Sequence, residues 1–103
     1  MIYVSNAFSP SMIKGVATIT LEEIPKEDFV NACKVGISIV GHPEIAKHFN
    51  VEFNRIGINL YEGDILYIVT PTFRQNKERY EFVPEEEGYT YRKITVEKQK
   101  ELI

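Results

Sequence analysis

A chain of 103 residues, 44% hydrophobic and 26% charged, has the length and balance of one soluble domain (1–103) with its own core rather than of a disordered segment. Its formal charge of −3 argues against the broad basic face that gripping duplex DNA requires, although a small anion can still be held where a few positive groups converge. One cysteine, two histidines and no Cys-x-x-Cys pair give neither an internal disulfide nor a zinc spacing, so no metal and no cofactor are expected. The longest apolar run, ILYIVTP at 65–71, is far short of the roughly 20 residues a membrane-crossing helix needs, and the first residues lack a signal-peptide pattern. The expectation is a cytoplasmic protein with no membrane partner.

In chain order, MIYVS at 1–5 is β-prone and predicts a strand buried in a sheet, followed by the turn-rich NAFSPS. VATITLEEI at 16–24 predicts a second strand, ended by Pro25. From Pro25 to Cys33, an early proline, acidic Glu27 and Asp28, and an apolar face of Phe29, Val30 and Cys33 predict a short helix. KVGISIVG at 34–41 is either a loop or a short extended piece crossing the sheet. HPEIAKHF at 42–49 predicts the second helix: Pro43 at its first position, His42 at or beside the N-cap, an inward stripe of Ile45, Ala46 and Phe49, and Asn50 as the stop. A β-hairpin is expected next, with strands at 55–61 and 65–70 joined through Glu62-Gly63-Asp64. RQNKERYEFVPEEEG at 74–88 reads as a surface excursion anchored by Tyr80 and Phe82. The alternating YTYRKITVE at 89–97 is a closing strand, and KQKELI a tail that either frays or docks. The order β, β, α, α, β, β, β predicts an α+β fold of two layers: a mixed sheet of about five strands with two or three helices packed on one face.

His42 is the first candidate for chemistry. It stands at a helix start, where unpaired amides and the helix dipole favour an anion, and an imidazole there would be an acid beside a phosphate; the plain alternative is a capping histidine. His48 lies off that face and reads as a surface residue. Arg55 and Arg74 have the planar fork that suits phosphate, against plain readings of a solvated rim residue for Arg55 and a salt bridge to Glu78 for Arg74. Asn6, Ser9 and Ser11 fall in the loop after the first strand, a usual place for binding groups, although short polar side chains there also satisfy their own turns. No two carboxylates among Glu62, Asp64 and Glu85 to Glu87 have a spacing that brackets a glycosidic bond. The Gly-x-Gly-x-x-Gly, P-loop and Gly-x-Ser-x-Gly patterns are absent.

Four ordered fragments, YVSNAFSPSM (3–12), IVGH (39–42), NRIGINLYEGD (54–64) and the arginine after LYIVTPTF, resemble the ring nucleases that archaeal viruses and some mobile elements carry as type III anti-CRISPR proteins. The resemblance spans roughly residues 1–75. It implies a homodimer that binds cyclic tetra-adenylate across its two-fold axis and cleaves it without metal, a ribose 2′-hydroxyl attacking the adjacent phosphate to leave a 2′,3′-cyclic phosphate. In its terms His42 is the general acid, Arg74 and Arg55 are the phosphate arginines, Asn6, Ser9 and Ser11 belong to the loop that contacts the ring, and Gly41 lets the backbone approach the ligand.

The chain departs from the family pattern around Arg74. Phe73 stands where a glutamine is usual, QNKER follows where a glutamate is expected, and Pro43-Glu44 replace the small polar residues after Gly-His. A second reading follows from this, a non-catalytic sponge or regulator that binds the cyclic nucleotide; a third is a viral or host interaction protein whose pocket is structural.

Overall fold

In chain order the computed structural model contains β1 (Ile2–Ser5), a single 3-10 turn (Pro10–Met12), β2 (Val16–Glu23), α1 (Lys26–Val35), β3 (Ile37–Ser38), α2 (Pro43–Phe49), β4 (Ile65–Thr70), β5 (Phe73–Gln75), β6 (Tyr80–Phe82) and β7 (Thr90–Lys100). It describes residues 1–70 and 88–100, together with the backbone of 73–75 and 80–82. The five-stranded sheet has the order β2-β7-β4-β1-β3, with β5 and β6 paired separately. β1 is parallel to both β3 and β4, whereas β7 runs antiparallel to both β4 and β2, so the sheet is mixed. The fold is the α+β arrangement that the sequence predicts.

Alternation along the strands assigns the two faces. Val4, Val69 and Tyr91 point toward the helices and pack with Phe29 and Ala32 of α1 and Ile45 and Ala46 of α2. Aromatic edges lock this layer: the Phe29 ring lies 5.1 Å from Phe49 at 76° and 5.5 Å from Tyr91 at 44°. Leu66, Ile68, Ile94 and Val96 point the other way, where neither α1 nor α2 covers them. Their cover is irregular chain, with Ile39 and Leu60 buried against them and Phe8, Met12, Ile13 and Ile58 partly so. Both helices therefore pack on one face, as expected.

The helix boundaries follow from local chemistry. Pro25 is the N-cap of α1, and Glu27 and Asp28 occupy its first turn, where negative charge suits the helix dipole. α1 runs past the expected end at Cys33 to Val35, then closes through the Gly36 N–H on the Ala32 carbonyl at 2.8 Å. α2 begins as predicted, with His42 as N-cap and Pro43 following. It ends at Asn50, which takes the left-handed conformation (φ 55°), and the Val51 N–H returns to the Ala46 carbonyl at 2.9 Å.

Two expectations are corrected. The segment 55–61 is not a β-strand: its only ladder contact among the described residues is an isolated parallel bridge between Leu60 and Ile13, with the Leu60 N–H donating to the Met12 carbonyl at 2.7 Å. β4 has no edge to offer it, because β1 occupies one side and β7 the other. The segment instead lies over the open sheet face and buries Leu60 there. The expected turn does form, with Gly63 at φ 89° and the Asp64 N–H bonded to the Tyr61 carbonyl at 2.9 Å, but the Gly63 N–H donates to the Val96 carbonyl, not to a hairpin partner. The fifth strand comes from the ambiguous 34–41 stretch, whose Ile37 and Ser38 pair with Tyr3 and Val4. Part of the expected surface excursion is likewise paired backbone, Phe73–Gln75 against Tyr80–Phe82; residues 76–79 and 83–87 lie outside the described residues. β7 takes in the start of the expected tail, since Lys98, Gln99 and Lys100 pair with Thr18, Ala17 and Val16.

Candidate functional site

The parallel strands β1 and β3 end side by side and deliver the 6–11 loop and the Gly41-His42 step to one edge of the sheet. A third segment, 52–55, is laced to the same place. The Ser38 hydroxyl donates to the Glu52 carbonyl at 2.7 Å and accepts from the Val40 N–H at 3.3 Å. The Asn54 side chain donates to the Ser38 carbonyl at 3.0 Å, and its backbone N–H to the Val40 carbonyl at 3.0 Å. Val40 and Phe53 form a parallel bridge between the two segments. A buried serine thus ties one extended segment to another through both its hydroxyl and its carbonyl.

This lacing sets up a clasp on one residue. The Gly41 N–H donates to Asn6 Oδ1 at 2.9 Å, and Arg55 Nε donates to the Gly41 carbonyl at 3.0 Å. Gly41 is therefore held by its amide from one side and by its carbonyl from the other, which fixes the backbone that enters His42. A Cβ at Gly41 would sit 3.3 Å from Arg55 Cγ, so the missing side chain makes room for the arginine, where the sequence suggested room for a ligand. Arg55 is exposed, its guanidinium carbon 5.8 Å from the Phe53 ring centroid. That arrangement keeps a cation at the surface beside the clasp.

His42 caps α2 directly: its Nδ1 accepts from the Ile45 N–H at a long 3.4 Å, and its carbonyl accepts from the Ala46 N–H at 3.0 Å. An accepting Nδ1 carries no proton, so the neutral ring has its hydrogen on Nε2. The capping is the plain alternative that the sequence offered for His42, and it occupies part of the helix start. Pro43 has no N–H, and His42 itself takes those of Ile45 and Ala46, leaving only the Glu44 amide of the first turn outside these bonds. Positive charge at this edge comes from Arg55 more than from helix amides.

The remaining sequence candidates are placed differently. Ser9 caps the 3-10 turn, accepting from the Ser11 N–H at 3.3 Å, and the two hydroxyls share a hydrogen bond of 2.8 Å. They satisfy their own turn rather than the Gly41 clasp. Arg74 lies in β5 opposite Glu81 in register, its side chain outside the described residues; Glu78 also lies outside them. His48 is exposed, as expected, and stacks on Tyr89 with centroids 5.4 Å apart. Among the described residues no group of three or more His, Cys, Asp or Glu side chains could hold a metal ion, and no helix is long and apolar enough to cross a membrane. Ser38 and Asn54, which hold the site together, were missed in the sequence; the one signal was Asn54 standing directly before Arg55.

Neither a protein-family model nor a curated protein matches the chain significantly. Among solved structures, B116 of Sulfolobus turreted icosahedral virus is similar, with a TM-score of 0.70 and 22% sequence identity, over 91% of this chain and 97% of that one. The likeness is one of fold: an archaeal-virus protein is built on the same arrangement of strands and helices.

Proposed function

We propose that the protein is a metal-independent ring nuclease acting on cyclic oligoadenylate, with cyclic tetra-adenylate its first expected substrate, and that it thereby antagonises or switches off type III CRISPR signalling. The observation that carries this reading is the convergence at Gly41. Asn6, Gly41-His42 and Arg55 come from three separate fragments of the sequence resemblance, and all three meet at one residue, Gly41. The fold shared with an archaeal-virus protein agrees with the viral side of that resemblance.

In this reading the chain's residues divide the work. The 2′-oxygen of one ribose attacks its neighbouring phosphorus, the bond to the 5′-oxygen breaks, and that oxygen takes a proton as it leaves. Arg55 and Arg74 stabilise the charge gathering on the phosphate. His42 gives the proton, help typically worth about 10² to 10⁴-fold in rate. The acid form must be the imidazolium, because a neutral ring losing its Nε2 proton would become an anion. Protonated at Nδ1, His42 can no longer accept from Ile45, so charging the acid frees the Ile45 amide at the helix start. A homodimer supplies each of these groups twice, which suits a symmetric ring of phosphates.

The same capping bond favours a second reading, a sponge that binds the ring without cleaving it. If the cap persists with ligand bound, His42 stays neutral and donates only a hydrogen bond. The two readings separate on incubation with cyclic tri-, tetra- and hexa-adenylate in excess EDTA, with products resolved by mass. Linear products ending in 2′,3′-cyclic phosphate are expected. Rings recovered intact but bound would transfer the assignment to the sponge; rings neither cut nor bound would remove both.

A further inference from the structure

We infer that Phe53 is a stacking platform for one adenine base of the ring, set beside the phosphate that Arg55 takes; the inference rests on the nuclease reading for its ligand. Among the described phenylalanines, Phe29 and Phe49 pack in the helix-covered layer and Phe8 packs against the core of the opposite face, whereas Phe53 is 48% exposed. A single apolar side chain at a surface is ordinary. What sets Phe53 apart is how firmly its backbone is held. The peptide before it is fixed by the Ser38 hydroxyl on the Glu52 carbonyl at 2.7 Å, and the peptide after it by the Asn54 N–H on the Val40 carbonyl at 3.0 Å. Its bridge partner Val40 is fully buried. The chain thus anchors Phe53 on both sides and leaves its ring in water. On such a backbone only two side-chain torsions remain to be fixed when a ligand arrives, so ordering the ring costs little.

Arg55 supplies the other half of a nucleotide site. Its Nε is spent on the Gly41 carbonyl at 3.0 Å, while the two terminal nitrogens of its fork have no hydrogen-bond or ion-pair partner among the described residues. Those nitrogens are the ones that grip phosphate oxygens in pairs. The guanidinium carbon stands 5.8 Å from the Phe53 centroid, so a cationic fork and a flat apolar surface lie side by side. A nucleotide asks for that combination, because one sugar joins its phosphate to its base. Every nucleobase has a π-face, and stacking on an aromatic side chain holds it without any contact to its edges. The base held on Phe53 would be the one whose phosphate sits on Arg55, next to the Gly41-His42 step that Arg55 clasps.

Retention of cyclic tetra-adenylate on filters, in EDTA and at times short against cleavage, tests the inference on the full chain. Phe53→Ala should weaken binding about 5- to 150-fold, the range expected for losing one base–aromatic stack. Phe53→Leu separates stacking from plain apolar cover: it keeps a large apolar side chain without a π-face and should bind nearly as weakly as Phe53→Ala. Phe53→Trp should bind at least as tightly as the natural chain. Thermal melts confirm that each variant is folded. Natural affinity in Phe53→Ala or Phe53→Leu would overturn the stacking assignment, and the nuclease assignment would stand wherever the natural chain cuts the ring. Phe53-dependent retention of rings that are never cut would do the reverse, moving the protein to the sponge reading with Phe53 still beneath a base. A natural chain that neither retains nor cuts the ring would overturn both.

Discussion

The helix-covered face of the sheet and the 38–55 edge are held by different forces. On the helix face, Phe29, Ile45, Val4 and Val69 are fully buried, and little but apolar packing joins the layers. At the edge, the side chains of Ser38, Asn54, Asn6 and Arg55 bond to backbone groups of neighbouring segments, and Arg55 and Phe53 remain exposed. Apolar packing resists unfolding but tolerates small slides; directed hydrogen bonds contribute less net energy each and fix positions to fractions of an ångström. The molecule uses the first to be stable and the second to aim Gly41 and His42.

Truncation on each side should separate the two roles. Phe29→Ala removes the ring at the centre of the aromatic layer and should cost about 3–5 kcal/mol in chemical denaturation, while the variant that remains folded keeps its ligand affinity. Ser38→Ala strips the hydroxyl that serves Glu52 and Val40 and should cost about 1–3 kcal/mol. Its loss of ring cleavage or binding should be out of proportion to that cost, because Arg55 is no longer held on Gly41. Equal functional losses in the two variants would erase the distinction between stability and aim.

A smaller effect is expected at the start of α2. His42→Ala should lower stability by about 0.5–1 kcal/mol by leaving the Ile45 amide uncapped, whereas His42→Asn should be nearly neutral, since asparagine is among the best N-caps. The smallest effect is chemical, and it sits on the packed side. Burial against the aromatic layer pushes the Cys33 thiol up from 9 to about 11, so little thiolate forms at neutral pH and alkylation by iodoacetamide should be much slower than in the unfolded chain. The unfolded chain loses its thiol proton first, so this group's contribution to stability is complete below pH 9 and is lost as pH rises toward 11. Rapid labelling of folded protein at neutral pH would show that the layer opens.

Much of this was legible in local sequence. His42-Pro43-Glu44 and Asn50 bracket α2 because capping, the fixed φ of proline and the left-handed stop are properties of a few adjacent residues. The 55–61 stretch misled because Ile56, Ile58 and Leu60 alternate as a strand does. An extended chain laid over a sheet face has the same period as one paired within it, and the difference lay in β4's edges, already taken by β1 and β7. At the site, the fragments were visible but their relation was not. Asn6 and Arg55 suggested ligand contacts in the sequence, whereas the structure has them gripping Gly41. Ser38 carried no signal at all, since a serine's buried partners are long-range.

If His42 both caps α2 and supplies a proton, His42→Asn separates those roles. Single-turnover cleavage of cyclic tetra-adenylate in EDTA, measured for the natural chain and for His42→Asn at equal fold stability and equal ring affinity, is the most direct measurement. The asparagine variant is expected to bind the ring normally and to cleave it about 10² to 10⁴ times more slowly. Cleavage by His42→Asn at the natural rate would show that His42 is only a cap and that the proton comes from elsewhere.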